Sequence, residues 1–203
     1  MGIGHPYSLL DWVPEAHRSG SLSVSVKRIP SAMTASEMGA QQIKAFNRSR
    51  AEQIAVLDIV AADAFYGNAN FLRFLQGERS GTVVRLRRDR VLYRVPGTPR
   101  KRRRGRPRIH GERFAFKDPD TWGEPDEAIT LEHPHFGRVQ LMRWNNLHGR
   151  KDADVPFDVV RASVHLEREK PPRPFYLAWQ APPQIPDSIT VTAKTIWLAY
   201  THR

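Results

Sequence analysis

Ile54-Ala-Val-Leu-Asp58-Ile-Val-Ala-Ala62-Asp63-Ala-Phe-Tyr66-Gly67 is the stretch on which the fold turns. From Ile54 to Ala62 it is nearly continuous in apolar side chains, the pattern of a central strand covered on both faces, with Asp58 near the strand's start. The run ends on the Asp63 carboxylate and passes into a loop that opens a helix after Asn68. In open α/β sheets ligands bind beyond the carboxyl ends of strands, so an Asp there can hold a hard cation against a phosphate.

Working outward, Ser21-Leu-Ser-Val-Ser-Val-Lys27 alternates strictly and predicts a half-buried strand with Leu22, Val24 and Val26 on one face. Pro30 ends it. Thr34-Ala-Ser-Glu37 has the spacing of a capping box, and Met38, Ile43 and Phe46 continue at helical intervals toward Gln53. From Gly81 onward the texture changes to strands separated by polar and proline-rich stretches, predicted at 82–87, 91–94, 137–144, 159–166 and 174–179. Pro182-Pro-Gln-Ile-Pro186 is a stiff connector, after which Ala193, Ile196, Trp197 and Tyr200 have helical spacing within 190–203. The expected architecture is α/β, a mixed sheet with helices interrupted by an antiparallel β-rich insertion. The expected divisions are 1–80, 81–180 and 181–203.

Charge indicates the partner. Among 203 residues, 32 Lys and Arg stand against 21 Asp and Glu, a net charge of +11, which biases the chain toward a polyanion. No apolar run approaches the roughly 20 residues that span a bilayer, and there is no basic leader segment, so no membrane role is expected. Without cysteine there is no disulfide framework and no thiolate zinc site, which fits a reducing cytoplasm. The densest charge is Arg100-Lys101-Arg102-Arg103-Arg104-Gly105-Arg106-Pro107-Arg108, where seven of nine residues are basic. Arg104 to Pro107 is similar to the core of a minor-groove hook, but the match is short, and the run reads first as a polybasic loop making sequence-independent phosphate contacts. Both readings bind DNA.

Asp63 also has two readings, as a metal ligand or as the turn residue that opens the next helix. Metal-assisted phosphoryl chemistry needs at least two converging carboxylates, and neither Asp11 nor Asp58 has the placement to serve. His133 and His135 lack a third ligand at zinc spacing and read as surface loop, and His148 in Asn145-Asn-Leu-His-Gly149 reads as a turn residue. Trp144, Trp179 and Trp197 sit in apolar segments and read as core.

Taken in order, Gly4-His-Pro-Tyr7-Ser-Leu-Leu, Val60-Ala-Ala-Asp-Ala-Phe-Tyr-Gly67 with Phe71-Leu72, Val84-Arg-Leu-Arg87, Gly105-Arg-Pro-Arg-Ile-His-Gly-Glu112, Asp118-Pro-Asp-Thr-Trp122 and Tyr176-Leu-Ala-Trp179 resemble the DDE transposases of bacterial insertion sequences. The resemblance implies a partial ribonuclease H-like core in 1–80, the β-rich insertion in 81–180, and a helix returning to the core in 181–203. It also implies three acidic residues holding two Mg²⁺ ions that cut and join DNA at element ends. Asp63 matches the second acidic position. Tyr200 and Arg203 match the first half of the signature that carries the third, whose glutamate and lysine fall past Arg203, while the first acidic residue lies on a strand upstream of Tyr7. The resemblance thus implies catalytic positions Asp63, Tyr200 and Arg203, with Asp63 the metal ligand. DNA contacts come from Arg100, Lys101, Arg102, Arg103, Arg104, Arg106 and Arg108. The expectation is a truncated, inactive transposase copy, cytoplasmic and nucleoid-associated, with DNA and a second copy of the chain as partners. The alternative is a non-catalytic DNA-binding protein that uses the basic loop.

Overall fold

The computed structural model describes residues 5–13, 20–52, 56–97, 108–165, 172–185 and 189–201. Its first elements are a hairpin of β1 (Tyr7–Trp12) and β2 (Leu22–Arg28), then helix α1 (Ala35–Ser49). The capping box is present: Glu37 N–H donates to the Thr34 hydroxyl, and the Glu37 carboxylate accepts from Thr34 N–H at 2.7 Å. Thr34 N–H and the Thr34 hydroxyl, both donating to the Glu37 carboxylate, hold that carboxyl below its ordinary value. β3 (Ile59–Ala62), α2 (Ala69–Leu75), β4 (Gly81–Leu86) and β5 (Val91–Arg94) follow. Next come β6 (Arg113–Ala115), β7 (Glu127–His133), β8 (Gly137–Gly149), β9 (Asp152–His165), β10 (Phe175–Gln180) and α3 (Ala193–Thr201).

The fold is therefore mixed α/β, with a mixed sheet and three helices among the described residues. Eight strands form one sheet in the order β3-β4-β10-β9-β8-β5-β6, with β7 also paired to β8. β3 and β4 are parallel, and the other pairings are antiparallel. β8 serves two neighbours along one edge, pairing β7 over Gly137 to Arg143 and β5 over Leu147 to Gly149. The break between them is a bulge at Asn146, whose φ of 54° lies in the left-handed region that Asn tolerates.

Alternation along the strands builds two cores. Val84, Tyr176, Ala178, Val159 and Trp144 face one side, with α1 and α2 laid over part of it, while Val83, Leu177, Trp179, Val160 and Leu141 face the other, under α3. α3 is docked by charge as well as by Ile196 and Trp197. The Glu127 carboxylate accepts from Ala193 N–H at 2.9 Å, and Arg143 joins Glu127, Asp158 at 2.6 Å and the Val191 carbonyl.

The eight-stranded sheet is curled. Phe116 directly follows β6, which lies four places from β10, so in a flat sheet about 19 Å would separate it from Tyr176. Instead the two rings stack at 4.0 Å between centroids and 7° between planes, and the Tyr176 hydroxyl donates to the Phe116 carbonyl at 3.0 Å. The concave interior holds Leu86, Leu92, Phe114, Trp144, Leu147 and Phe157. For the same reason the short link 87–90 suffices between β4 and β5, which are not adjacent in the sheet.

Three expectations are corrected. The apolar run at 54–62 yields a four-residue strand at the end of the strand order rather than a central one, although both its faces are covered, Val60 and Ala62 on one side and Ile59 and Ala61 on the other. The apolar face of β2 is not half-buried. Leu22 is 59 % and Val26 58 % exposed, because α1 covers the opposite face, where Gln42 donates to the carbonyls of Ser8 and Ser25, and no described segment covers this one. His148 is no turn residue; it lies in β8, is 1 % exposed, and stacks on His110 with Nδ1 of His110 and Nε2 of His148 3.0 Å apart. The bulge at Asn146 gives its neighbourhood the composition of a turn. Trp144, Trp179 and Trp197 are core, as expected.

Closure of the sheet is testable by urea unfolding. Tyr176→Phe, which removes only the hydroxyl, is expected to cost about 1 kcal/mol. Tyr176→Ala, which also removes the stack, is expected to cost about 3–5 kcal/mol; equal, small losses would mean the stack does not hold the curl. Burial, reinforced by His110, holds the His148 imidazole below its ordinary 6.5. The unfolded chain therefore binds more protons, so this contribution to stability is complete above pH 6.5 and declines as pH falls below it. The decline should be blunted in His148→Phe, read from melting temperature between pH 8 and pH 5.

Candidate functional site

Asp63 stands immediately past β3 with its side chain exposed. The contacts of its own carboxylate and carbonyl are those of a local turn. Oδ1 accepts from Phe65 N–H at 2.9 Å, and its carbonyl accepts from Tyr66 N–H at 3.2 Å. The helix cap falls to another residue, since Asn68 Oδ1 accepts from Phe71 N–H at 3.0 Å to start α2. Asp63 is thus a turn-forming residue with one carboxylate oxygen engaged locally.

The loop is pinned to the end of β4. Arg90 donates to the Gly67 carbonyl at 2.6 Å, and a β-carbon at Gly67 would run into the Arg85 carbonyl. Only glycine permits that approach of two backbones. Behind the loop, Tyr66 packs against Phe71, while the neighbouring Phe65 is 66 % exposed. The sequence pattern gave no cue to that exposed ring, because Phe65 reads there as part of an apolar run.

The remaining candidates are not assembled around Asp63. Asp58 is bound to Arg50 at 3.1 Å beside the start of β3, and Asp11 accepts from the Ser23 hydroxyl at 2.9 Å in the hairpin. Tyr200 is 4 % exposed within the core under α3, and that helix does pack on β3. Arg203 lies outside the described residues, as do Arg100, Lys101, Arg102, Arg103, Arg104 and Arg106. Arg108 is described and exposed, between β5 and β6. Arg113 is paired with Asp118 at 2.9 Å, and Arg143 with Asp158, so neither is a free cation.

Among the described residues no group of three or more His, Asp or Glu side chains could hold a metal ion. Asp63 offers one carboxylate, half engaged, where two ions need several, so the described residues do not fit a two-ion centre. No helix among them is long and apolar enough to cross a membrane.

The family model described as DDE superfamily endonuclease matches residues 13–150, which is more than half of the chain and includes Asp63. No curated protein matches. The chain belongs to the DDE superfamily endonucleases, a family that generally uses divalent metals, and its mixed sheet with three helices is consistent with a partial ribonuclease H-like fold of that kind.

The seating of the Asp63 loop can be probed without touching the carboxylate. Gly67→Ala is expected to destabilise by about 1–3 kcal/mol through forced backbone displacement. Gly97→Ala, where a β-carbon meets nothing within 4 Å, should stay near neutral in the same denaturant series. A neutral Gly67→Ala would show that the loop moves freely off β4.

Proposed function

Taking membership of the DDE superfamily endonucleases as the premise, we propose that this chain is a transposase-type protein, an inactive copy from a family whose chemistry is metal-dependent cutting and joining of DNA at element ends. Asp63 is the ligand that matches the second acidic position. The observation that carries this reading is an exposed carboxylate at the carboxyl end of β3, inside the matched segment, on a loop fixed against the neighbouring parallel strand. Tyr200, on the helix packed against that strand, and Arg203 are proposed to support the site, and Mg²⁺ is the proposed ion.

We further propose that the chain by itself does not cut DNA. One carboxylate cannot fix two ions, and loss of the clamp on attacking and leaving oxygens costs orders of magnitude in rate. What remains is DNA binding. The run from Arg100 to Arg108, with seven basic residues of nine, supports a second reading in which sequence-independent phosphate contact is the working activity.

Supercoiled plasmid incubated with the full chain in Mg²⁺ or Mn²⁺ separates these outcomes. The wild-type chain and Asp63→Ala are both expected to leave the plasmid unnicked, and both are expected to shift it on a gel in EDTA, with affinity falling steeply as salt rises. Cutting by the wild-type chain that Asp63→Ala abolishes would show a complete metal site and overturn the inactivity. Failure to bind DNA at low salt would remove the transposase-type reading altogether.

A further inference from the structure

Beside the Asp63 loop a cleft of about 650 Å³ opens between the ends of β4 and β10 and the turn that follows β6. Ala64, directly after Asp63, forms part of its wall. Five cations line it, Arg85, Arg87, Arg88, Lys117 and Arg173, against a single carboxylate, Asp89. Four arginines elsewhere among the described residues pair with acids: Arg50 with Asp58, Arg73 with Asp152 and Asp154, Arg113 with Asp118, Arg143 with Asp158. None of the five cleft cations has an ion pair among the described residues.

The cleft is shaped as well as charged. Its floor is the stack of Phe116 on Tyr176 that closes the curled sheet, so it is a seam of the fold and not a bare surface. The Arg85 guanidinium lies over the Phe175 ring at 4.5 Å, which restrains its direction. Burial raises the proton affinity of the Tyr176 phenol, and Arg161, then more weakly Arg88, act against it. Unpaired cations gathered at one place repel one another, and a fold keeps them at a cost unless an anion is drawn in.

We infer that this cleft is a phosphodiester-binding groove that seats a DNA strand alongside the Asp63 loop, through successive backbone phosphates and without base readout. A single phosphate could satisfy only two or three of the guanidinium and ammonium groups, whereas a strand presents one phosphate after another along the groove. The buried rings of the floor give the groove a rigid base, and the salt dependence of binding reads the phosphate contacts made above it. The identity of the polymer rests on the DNA-processing reading above, but occupancy of the groove needs no metal.

The test compares the full-length chain with three sets of variants by fluorescence anisotropy, using a labelled single-stranded DNA in EDTA across a salt series. Arg87→Gln, Arg88→Gln and Arg173→Gln combined are expected to reduce the slope of log affinity against log salt by about 2, three contacts at about 0.7 each. The same three positions changed to Lys should recover most of it. Arg138→Gln, Arg150→Gln and Lys151→Gln combined remove equal charge from exposed positions outside the cleft and should leave the slope within about 0.5. Equal losses in the two Gln sets would overturn the inference, because net charge alone would then account for binding. Inorganic phosphate is the competing small anion. If it displaces DNA from the wild-type chain at low millimolar concentration and constant ionic strength, but not from the cleft Gln set, the cleft is a single-anion site and the strand groove is wrong. Asp63→Ala carried through the same series should match wild type, so a failed metal reading and a failed groove give different results.

Discussion

Closure of the curled sheet by Phe116 on Tyr176 is the constraint on which the rest of the molecule depends. Strands that twist in one hand coil as a sheet widens, and here the coiling brings the turn after β6 onto β10 across four places in the strand order. Two bulged irregularities in the β8–β9 ladder let these long strands bend, and Asn146 absorbs one of them at positive φ. Arg90, in the link that the curl keeps short between β4 and β5, donates to the Gly67 carbonyl, while the pairing of β3 with β4 sets Gly67 against the Arg85 carbonyl. The site loop therefore owes its position to contacts far from it in sequence.

α1 has the complementary task. The β1–β2 hairpin forms its own two-stranded sheet, and α1 joins it to the body of the protein. Gln42 reaches the hairpin, whereas Ala40 and Ile43 pack with Phe71 and Leu72, and Asn47 donates to Glu78 and Ser80. One helix thus spans two sheets through one polar and one apolar stripe. The outer face of the hairpin, with Tyr7, Leu9, Leu22 and Val26 each more than half exposed, is what that arrangement leaves uncovered among the described residues.

Local signals were legible in the sequence where a residue's partner lies within a few positions. Thr34 and Glu37 marked the start of α1, Asn68 marked α2, and short runs of β-branched, aromatic and leucine residues marked β4, β5 and β10. β7 was missed because Glu127–His133 mixes charged ends with a weak alternation, and its status as a strand is conferred by Arg138 to Arg143 across the ladder. His148 was misread because Asn145, Asn146 and Gly149 compose a turn by type while the ladder makes them a bulge. For the site, the end of an apolar run located Asp63, but the groove beside it was only half visible. Arg85, Arg87 and Arg88 are close in sequence, whereas Lys117 and Arg173 arrive from segments about 30 and 85 residues away, Arg173 by the pairing of β10 with β4 and Lys117 by curling of the sheet.

That geometry separates two properties usually discussed together in a phosphoryl-transfer site. Binding of a polyphosphate strand is an additive electrostatic matter: each cation contributes its share, and losing one weakens the whole by a fraction. Metal-assisted cleavage is cooperative in its ligands, since removal of one carboxylate from a set disables the clamp rather than weakening it. Among the described residues, a corner holding Asp63, Asp89 and five cations without ion pairs stands on opposite sides of those two rules. Strand binding tolerates such a set of residues and cleavage does not, and that difference is the physical ground on which the proposed reading separates gripping DNA from cutting it.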